Sequence, residues 1–343
     1  MDYKVSVIFI TYNHEKYVEK ALRSVLNQET DFPFEVVVGE DCSTDNTAEI
    51  LRKIAAEYPE HEPTGNNDRQ VRLYLREENT GGRPTLNVYE TTKRCQGEYL
   101  AYLEGDDYWT DTHKLQKQID FLSNHPEYIA VTHDMDMVDE ESNLITDPDT
   151  LRIGDLYKHP EGVIDFEDYK ATNRFAGHYA TVVSRNIYLN DRFDYTILYR
   201  ASDFTDDAVI LLFLLMQGDI YRMPDKMSAW RYVRKQGAGN WNSLMIDKNL
   251  MMDNAYLARN LIKWIENYIP LGEYSYKRCY DDFGLALKWY LKKPNKENKK
   301  FLADMYEYGV RHVLCKEKKT SLLTYSIAYI WGKITKKVNS YER

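Results

Sequence analysis

The chain has 343 residues, 43% of them hydrophobic, and a formal net charge of −9, which is apolar material for one large or two ordinary domains. The acidic balance speaks against a nucleic-acid partner, because neutralising phosphates needs a basic face. No stretch approaches the ~18 consecutive apolar residues that span a bilayer, no secretory leader is expected ahead of the first strand, and Cys42, Cys95, Cys279 and Cys315 are scattered without a Cys-x-x-Cys pair, so a reducing cytoplasm is the expected compartment.

Short β-rich runs alternate with helical spacing through the first hundred residues, the pattern of a mostly parallel sheet with helices on both faces. Residues 4–10 predict the opening strand, and Val18, Ala21, Leu22, Val25 and Leu26 then recur at helical spacing. A strand follows at 34–38, then a helix marked by Ile50, Leu51 and Ile54 with Thr44 or Asp45 as its N-cap. The polar stretch 59–68 reads as a loop before a strand at 71–75, and a helix from about 84 to 95 leads to a strand at 99–103. Leu115, Ile119 and Leu122 mark an amphipathic helix that should stop before Pro126, and a strand is expected at 128–132. Residues 134–173 read as loops with short elements. Strands are expected at 180–184 and 227–232, and the apolar run 208–216 between them has the length of a buried helix. The division falls near Trp241, with a Lys- and Tyr-rich helical region over 242–343. There Leu322, Leu323, Tyr325, Ile327, Ala328, Tyr329, Ile330 and Trp331 are bracketed by lysines, which suits a helix at an anionic membrane surface, or one packed on its own domain or a second copy.

Two acidic clusters each follow an apolar run that reads as a buried strand. Glu40-Asp41 leads into Cys42-Ser43-Thr44-Asp45, and Glu104-Gly105-Asp106-Asp107 closes the strand at 99–103. In an open α/β sheet the carboxyl ends of neighbouring strands face one crevice where ligands bind, and carboxylates gathered there repel unless a cation, a donor-rich ligand or protonation relieves them. The carboxylates around Gly105 suit a hard divalent cation with positions left for phosphate oxygens; a solvated acidic turn is the plainer alternative. Asp41 could accept from a base N–H or a ribose hydroxyl, or bond the next turn as a local cap with Ser43. The first strand ends in Thr11-Tyr12-Asn13-His14-Glu15 where a dinucleotide fold would carry Gly-x-Gly-x-x-Gly; these side chains suit a nucleobase, or simply a polar turn. Asp203, Asp206 and Asp207 precede the run 208–216 and alone read as helix caps, although one within reach of an acceptor hydroxyl would serve as a general base. His14, His113, His133 and His178 lack metal-ligand spacing and read as structural. With neither a Gly-x-Ser-x-Gly elbow nor a Walker loop, hydrolase and ATPase readings lose their usual support.

In their order along the chain, these segments resemble family 2 of the GT-A glycosyltransferases, an inverting group that uses nucleotide sugars. The matching residues are Val5-Ser6-Val7-Ile8-Phe9-Ile10-Thr11-Tyr12-Asn13, Glu40-Asp41-Cys42-Ser43-Thr44-Asp45-Asn46-Thr47, Asn79-Thr80-Gly81, residues 97–109 and Lys114-Leu115-Gln116-Lys117-Gln118. They spread over roughly residues 1–240.

The resemblance implies an α/β fold of the GT-A (Rossmann-like) type over 1–241, a mostly parallel sheet with helices on both faces, plus the helical C-terminal region. It implies that Thr11, Tyr12, Asn13 and Asp41 hold the base and ribose of the donor, with Asn79 and Arg83 on the base or phosphate side. Asp106 would be the principal ligand of a divalent metal, Mn2+ or Mg2+, with Asp107 and Glu104 contributing to the ribose, metal or sugar; Glu104 stands where the family usually has Asp. The catalytic base would lie just ahead of the helix at 208–216, where Asp207 is the choice and Asp206 and Asp203 are close in sequence. The Gln-x-x-Arg-Trp signature of processive synthases is missing, so the resemblance implies transfer of a single sugar, with UDP as the expected carrier, to a glycan or lipid-linked acceptor of a bacterial surface polysaccharide. Trp109, Trp230 and Trp241 would form an acceptor platform or pack in the core. The region 242–343 would contact acceptor, a second copy or the inner face of the membrane. The alternatives are a nucleotidyltransferase on a sugar phosphate, which usually needs a glycine-rich phosphate loop that residues 11–15 do not offer, and a binding protein that kept the fold without catalysis.

Overall fold

A computed structural model describes residues 3–61, 65, 67–172, 174–189, 192–203, 207–235 and 250–309. The chain divides into two compact units, Met1–Lys248 and Asn249–Arg343.

The first unit is built on one sheet. Strands β1 (Val5–Thr11), β2 (Phe34–Glu40), β3 (Arg69–Leu75) and β4 (Tyr99–Glu104) are mutually parallel in the order β3-β2-β1-β4. Every residue of β1 and β2 is buried, as expected of strands covered on both faces, whose near-continuous Val and Ile content leaves no alternation to read. The register sets Thr11 beside Glu40 and Ile10 beside Glu104, so the polar residues that end these strands come out side by side.

Helix α1 (Val18–Leu26) buries the five apolar residues that mark its helical spacing. Helix α2 (Thr47–Ala55) buries Leu51 and Ile54, and α3 (Pro84–Thr92) opens on a proline at its first turn, where no N–H is needed. The buried face of α3 is largely polar because it lies against Gly39 of β2, whose carbonyl accepts Asn87 Nδ2 at 2.8 Å.

Beyond β4 the sheet continues through short β5 (Tyr108–Trp109), helix α4 (Lys114–Asn124), and strands β6 (Tyr128–Val138), β7 (Gly162–Ile164), β8 (Val183–Arg185) and β9 (Asp219–Arg231). The full order is β3-β2-β1-β4-β8-β6-β9-β5, with β7 on β9; β8 runs antiparallel to both β4 and β6, while β6 and β9 are parallel. Helices α5 (Pro148–Leu151), α6 (Phe166–Thr172) and α7 (Ile197–Arg200) are short, and α8 (Asp207–Leu215) is buried from Ala208 onward. A helix apolar all round has to be enclosed on all sides.

Among the boundaries that differ from the sequence expectation, three lie in the second half of the sheet. β6 runs on to Val138, because Asp134–Val138 pairs with β9 in spite of its acidic residues. β9 starts eight residues early, at Asp219: between Thr132↔Arg222 and Asp134↔Lys226 the register slips, and exposed Pro224 sits in that bulge without a ladder bond to lose. Of the strand expected at 180–184, Tyr179–Thr181 is a 3₁₀ turn and the strand spans Val183–Arg185.

The second unit contains α9 (Leu250–Ile265), α10 (Glu273–Lys292) and α11 (Lys296–Gly309). Phe283 and Ala286 of α10 and Phe301, Met305 and Tyr308 of α11 are buried, and Tyr256 of α9 donates to Asp304 of α11 at 2.7 Å. Among the described residues no helix is long and apolar enough to cross a membrane. Asp206, Trp241, Cys315 and the amphipathic segment at 322–331 lie outside the described residues.

Candidate active site

The loops after β1 and β2 are knitted together by their own polar side chains. Asn13 takes a positive φ of 55°, receives the Thr44 N–H on its Oδ1 at 2.8 Å and gives its own N–H to Ser43 Oγ at 2.9 Å. The His14 N–H goes to Thr47 Oγ1, and the Glu15 N–H to Asp45 Oδ2. Thr11 is buried, its hydroxyl 3.2 Å from His14 Nδ1, and half-buried Tyr12 follows it.

Asp41 is buried at the end of β2, with both oxygens bonded to the next loop. Its Oδ1 accepts the Thr80 N–H at 3.0 Å, and its Oδ2 accepts the Thr80 hydroxyl at 2.6 Å and Asn79 Nδ2 at 3.2 Å. Burial pushes this carboxyl up, while the Thr80 bonds and the Arg76 guanidinium at 3.6 Å work against that rise. A carboxylate has about four lone-pair sites, so an incoming donor can still be met. Asn79 orients Asp41, and the Arg83 side chain turns the other way, donating to Asp203 Oδ1 at 2.8 Å and to the Tyr199 carbonyl.

The turn after β4 is pressed onto the end of β1. A Cβ at Gly105 would lie 2.4 Å from Thr11 Oγ1 and 2.9 Å from His14 Nδ1, so this approach requires glycine. The turn sends its carboxylates two ways. Asp106 Oδ2 lies 4.0 Å from His14 Nε2. Asp107, 1% exposed, takes the Arg231 N–H on Oδ1 at 2.7 Å and holds a buried Oδ2 with no hydrogen-bond partner, 3.9 Å from His178 Nδ1. Burial and the charge of Asp106 push the Asp107 carboxyl well above the usual range, against the pull of Arg231.

Ligating atoms of Glu104, Asp107 and His178 all lie within 4.8 Å of one another. Burial lowers the His178 imidazole to about 3, so the ring is neutral, and its Nδ1 accepts the Ala180 N–H at 3.3 Å. His178 Nδ1 and Asp107 Oδ2 thus lie 3.9 Å apart with the Nδ1 lone pair already engaged by the Ala180 N–H. Protonation of Asp107 or a shared cation relieves the charge gathered here, and two carboxylates with a neutral imidazole form a donor set suited to a divalent metal that tolerates nitrogen.

Arg231, at the end of β9, fastens this turn. Its buried guanidinium donates to the Asp106 carbonyl at 2.9 Å, to the carbonyls of Asp139 and Glu140, and to Ser142 Oγ, and stacks on Tyr17 with 4.3 Å to the ring centre.

Asp207, the first residue of α8, reaches the same region through Tyr157. Its Oδ2 accepts the Tyr157 hydroxyl at 3.0 Å, and the Tyr157 ring meets His178 edge-on at 5.1 Å. Burial raises the Asp207 carboxyl; the Ala208 N–H and Tyr157 bonds oppose the rise. Asp203 is instead exposed and paired with Arg83. Trp109 is buried with its Nε1 on the Ala180 carbonyl, and buried Trp230 packs against His178 and Tyr157.

A model of the family described as glycosyl transferase family 2 matches residues 6–188, more than half of the chain. The chain belongs to glycosyl transferase family 2. The chain is similar to an uncharacterized protein of Mycobacterium tuberculosis, 39% identical over 137 residues, which are 40% of this chain and 36% of that protein. The poly(ribitol-phosphate) β-N-acetylglucosaminyltransferase TarS of Staphylococcus aureus is 35% identical over 125 residues, covering 36% of this chain and 19% of TarS. The chain thus spans well under half the length of these curated relatives. The crystal structure of TarS 1–349 in complex with UDP-GlcNAc superposes with a TM-score of 0.60 at 21% identity, over 89% of this chain and 80% of that one, which establishes the shared GT-A fold.

Two residues of this family 2 site carry no motif. His178 reads as structural in the sequence, yet it stands beside Asp107; Tyr157 lies in a stretch that reads as loop. The available signal is weak: a run Gly177-His178-Tyr179 ahead of a short strand, with nothing local to say which carboxylate it meets.

Proposed function

We propose that this chain is an inverting glycosyltransferase that moves one sugar from a nucleoside diphosphate donor, UDP-linked, to a hydroxyl of a glycan or lipid-linked acceptor in a cell-surface polymer. The observation that carries the reading is that buried Asp41 and the Glu104–Asp107–His178 group lie at the carboxyl ends of the strands flanking β1, with Asp207 joined to His178 through Tyr157. Support for UDP comes from TarS, whose solved complexes contain UDP and UDP-GlcNAc and whose name gives it a poly(ribitol-phosphate) acceptor.

In this reading Asp41, steadied by Thr80, Asn79 and Arg76, accepts from the nucleoside, and Thr11, Tyr12 and Asn13 frame the base. Glu104, Asp107 and His178, with Asp106 beside them, would hold a divalent cation, Mn2+ or Mg2+, which would supply positive charge against the departing diphosphate. Asp207 takes the proton of the acceptor hydroxyl as its oxygen bonds the anomeric carbon and the carbon–oxygen bond to diphosphate breaks. A single displacement from the face opposite the leaving group inverts that carbon. The second unit is assigned to acceptor, membrane-surface or self contacts.

Release of nucleoside diphosphate from a panel of UDP-, GDP- and dTDP-sugars with Mn2+ identifies the donor. Asp207→Asn then lowers turnover by about 10²- to 10⁴-fold, the usual worth of a general base, while Mn2+-dependent UDP binding, followed by calorimetry, is retained. Unchanged turnover would sink the assignment of Asp207.

A further inference from the structure

Tyr157 closes the 3₁₀ turn Arg152–Tyr157 in the segment between β6 and β8. Its ring is enclosed by three others, with centroids 5.1 Å from His178, 5.7 Å from Trp230 and 5.8 Å from Phe175; the first two contacts are edge-on. Trp230 and His178 are themselves 5.1 Å apart. The turn is tied down beside this cluster by the Phe175 N–H, which donates to the Leu156 carbonyl at 3.2 Å. A ring packed on several sides has few rotamers open to it, so its hydroxyl is aimed in one direction, at Asp207 Oδ2, 3.0 Å away. The other oxygen, Oδ1, receives the Ala208 N–H at 2.7 Å.

We propose that Tyr157 is a positioning residue for sugar transfer: its hydroxyl holds the Asp207 carboxylate in the plane from which it can meet an acceptor hydroxyl, and its ring registers that carboxylate against His178 beside Asp107. This inference rests on Asp207 being the base. A carboxylate held at Oδ2 by Tyr157 and at Oδ1 by the Ala208 N–H loses rotation about its last side-chain torsion. Base catalysis requires hydrogen-bond reach to the proton, and small errors of orientation are costly in rate. The Tyr157 hydroxyl donates to Asp207, the group assigned to the transfer step, so its loss is read in kcat.

The test compares wild type, Tyr157→Phe, Asp207→Asn and the double variant, using the donor that wild type turns over fastest in the UDP-, GDP- and dTDP-sugar panel, with Mn2+ present and water as acceptor. Phenylalanine keeps the ring among His178, Trp230 and Phe175 and removes only the O–H. The expected result is a kcat lowered roughly ten- to a hundredfold, the worth of a hydrogen bond to a charged group. Donor KM, Mn2+-dependent UDP binding and melting temperature stay at the wild-type value, and the double variant is no slower than Asp207→Asn, because Tyr157 acts through Asp207. An unchanged kcat overturns the proposal, as does a joint loss of stability and UDP binding, or a double variant slower than Asp207→Asn. If Asp207→Asn equals wild type, or wild type turns over no donor, the reading of Asp207 as the base has failed and the positioning role falls with it.

Discussion

Asp207 opens a helix whose next eight residues are all buried, so the element it starts draws its carboxylate out of water. Desolvation disfavours the charged form and raises the pKa. A base must be ionised to work, so raising its pKa moves the acid limb of the rate profile to higher pH. kcat/KM is expected to fall as pH drops through a value above the usual aspartate range, and this limb should vanish in Asp207→Asn; a profile flat down to pH 4 would contradict it. At the same scale, Asp203 and Asp207 are alike in sequence and different in place. Asp203 is exposed on Arg83, whereas Asp207 is drawn inward onto Tyr157. Charge and spacing show that carboxylates gather there; which of them is desolvated depends on what the fold packs around each.

The turn after β4 shows what elements add to residues. Gly105 lets the Asp106–Asp107 pair ride directly on Thr11 and His14, and Arg231 clamps the same turn to residues 139–142 from β9. Gly105→Ala would force a Cβ to within 2.7 Å of Thr11 Cβ, on a strand that cannot retreat. The expected cost is about 1–3 kcal/mol of stability, together with a several-fold weaker UDP titration in Mn2+; thermal melting and calorimetry read both, and wild-type values for both would show that this contact does not place the turn. The acidic turn was legible because it follows an apolar run. Its clamp was not: Arg231 lies in the strand expected at 227–232, but its partners at Asp106 and 139–142 are about 90 to 125 residues away and follow from strand pairing, and only the start of β9, where Pro224 sits in a bulge, was hidden.

At the scale of the whole molecule, the second unit carries buried charge of its own. Asp282 of α10 is 3% exposed and bonds Arg278, yet burial pushes its carboxyl up to about 6. The native state therefore holds that proton more tightly than the unfolded chain does: the stabilisation is complete below the unfolded value near 3.8 and is lost as pH rises through about 6. Asp282→Asn should raise stability above pH 6, by of order 2 kcal/mol, and change little near pH 4; melting curves across that range check the sign. Apolar runs and helical spacing are written in consecutive residues, so the parallel half of the sheet, the buried helix at 208–216 and the acidic ends of β2 and β4 could be read directly, and their order carried the family. Periodicity records that a face is buried, not what it is buried against. The meeting of Asp107 with His178, and of Asp207 with Tyr157, joins residues 71 and 50 positions apart, through a β8 that runs antiparallel between β4 and β6. That neighbourhood exists only once the sheet has chosen its strand order.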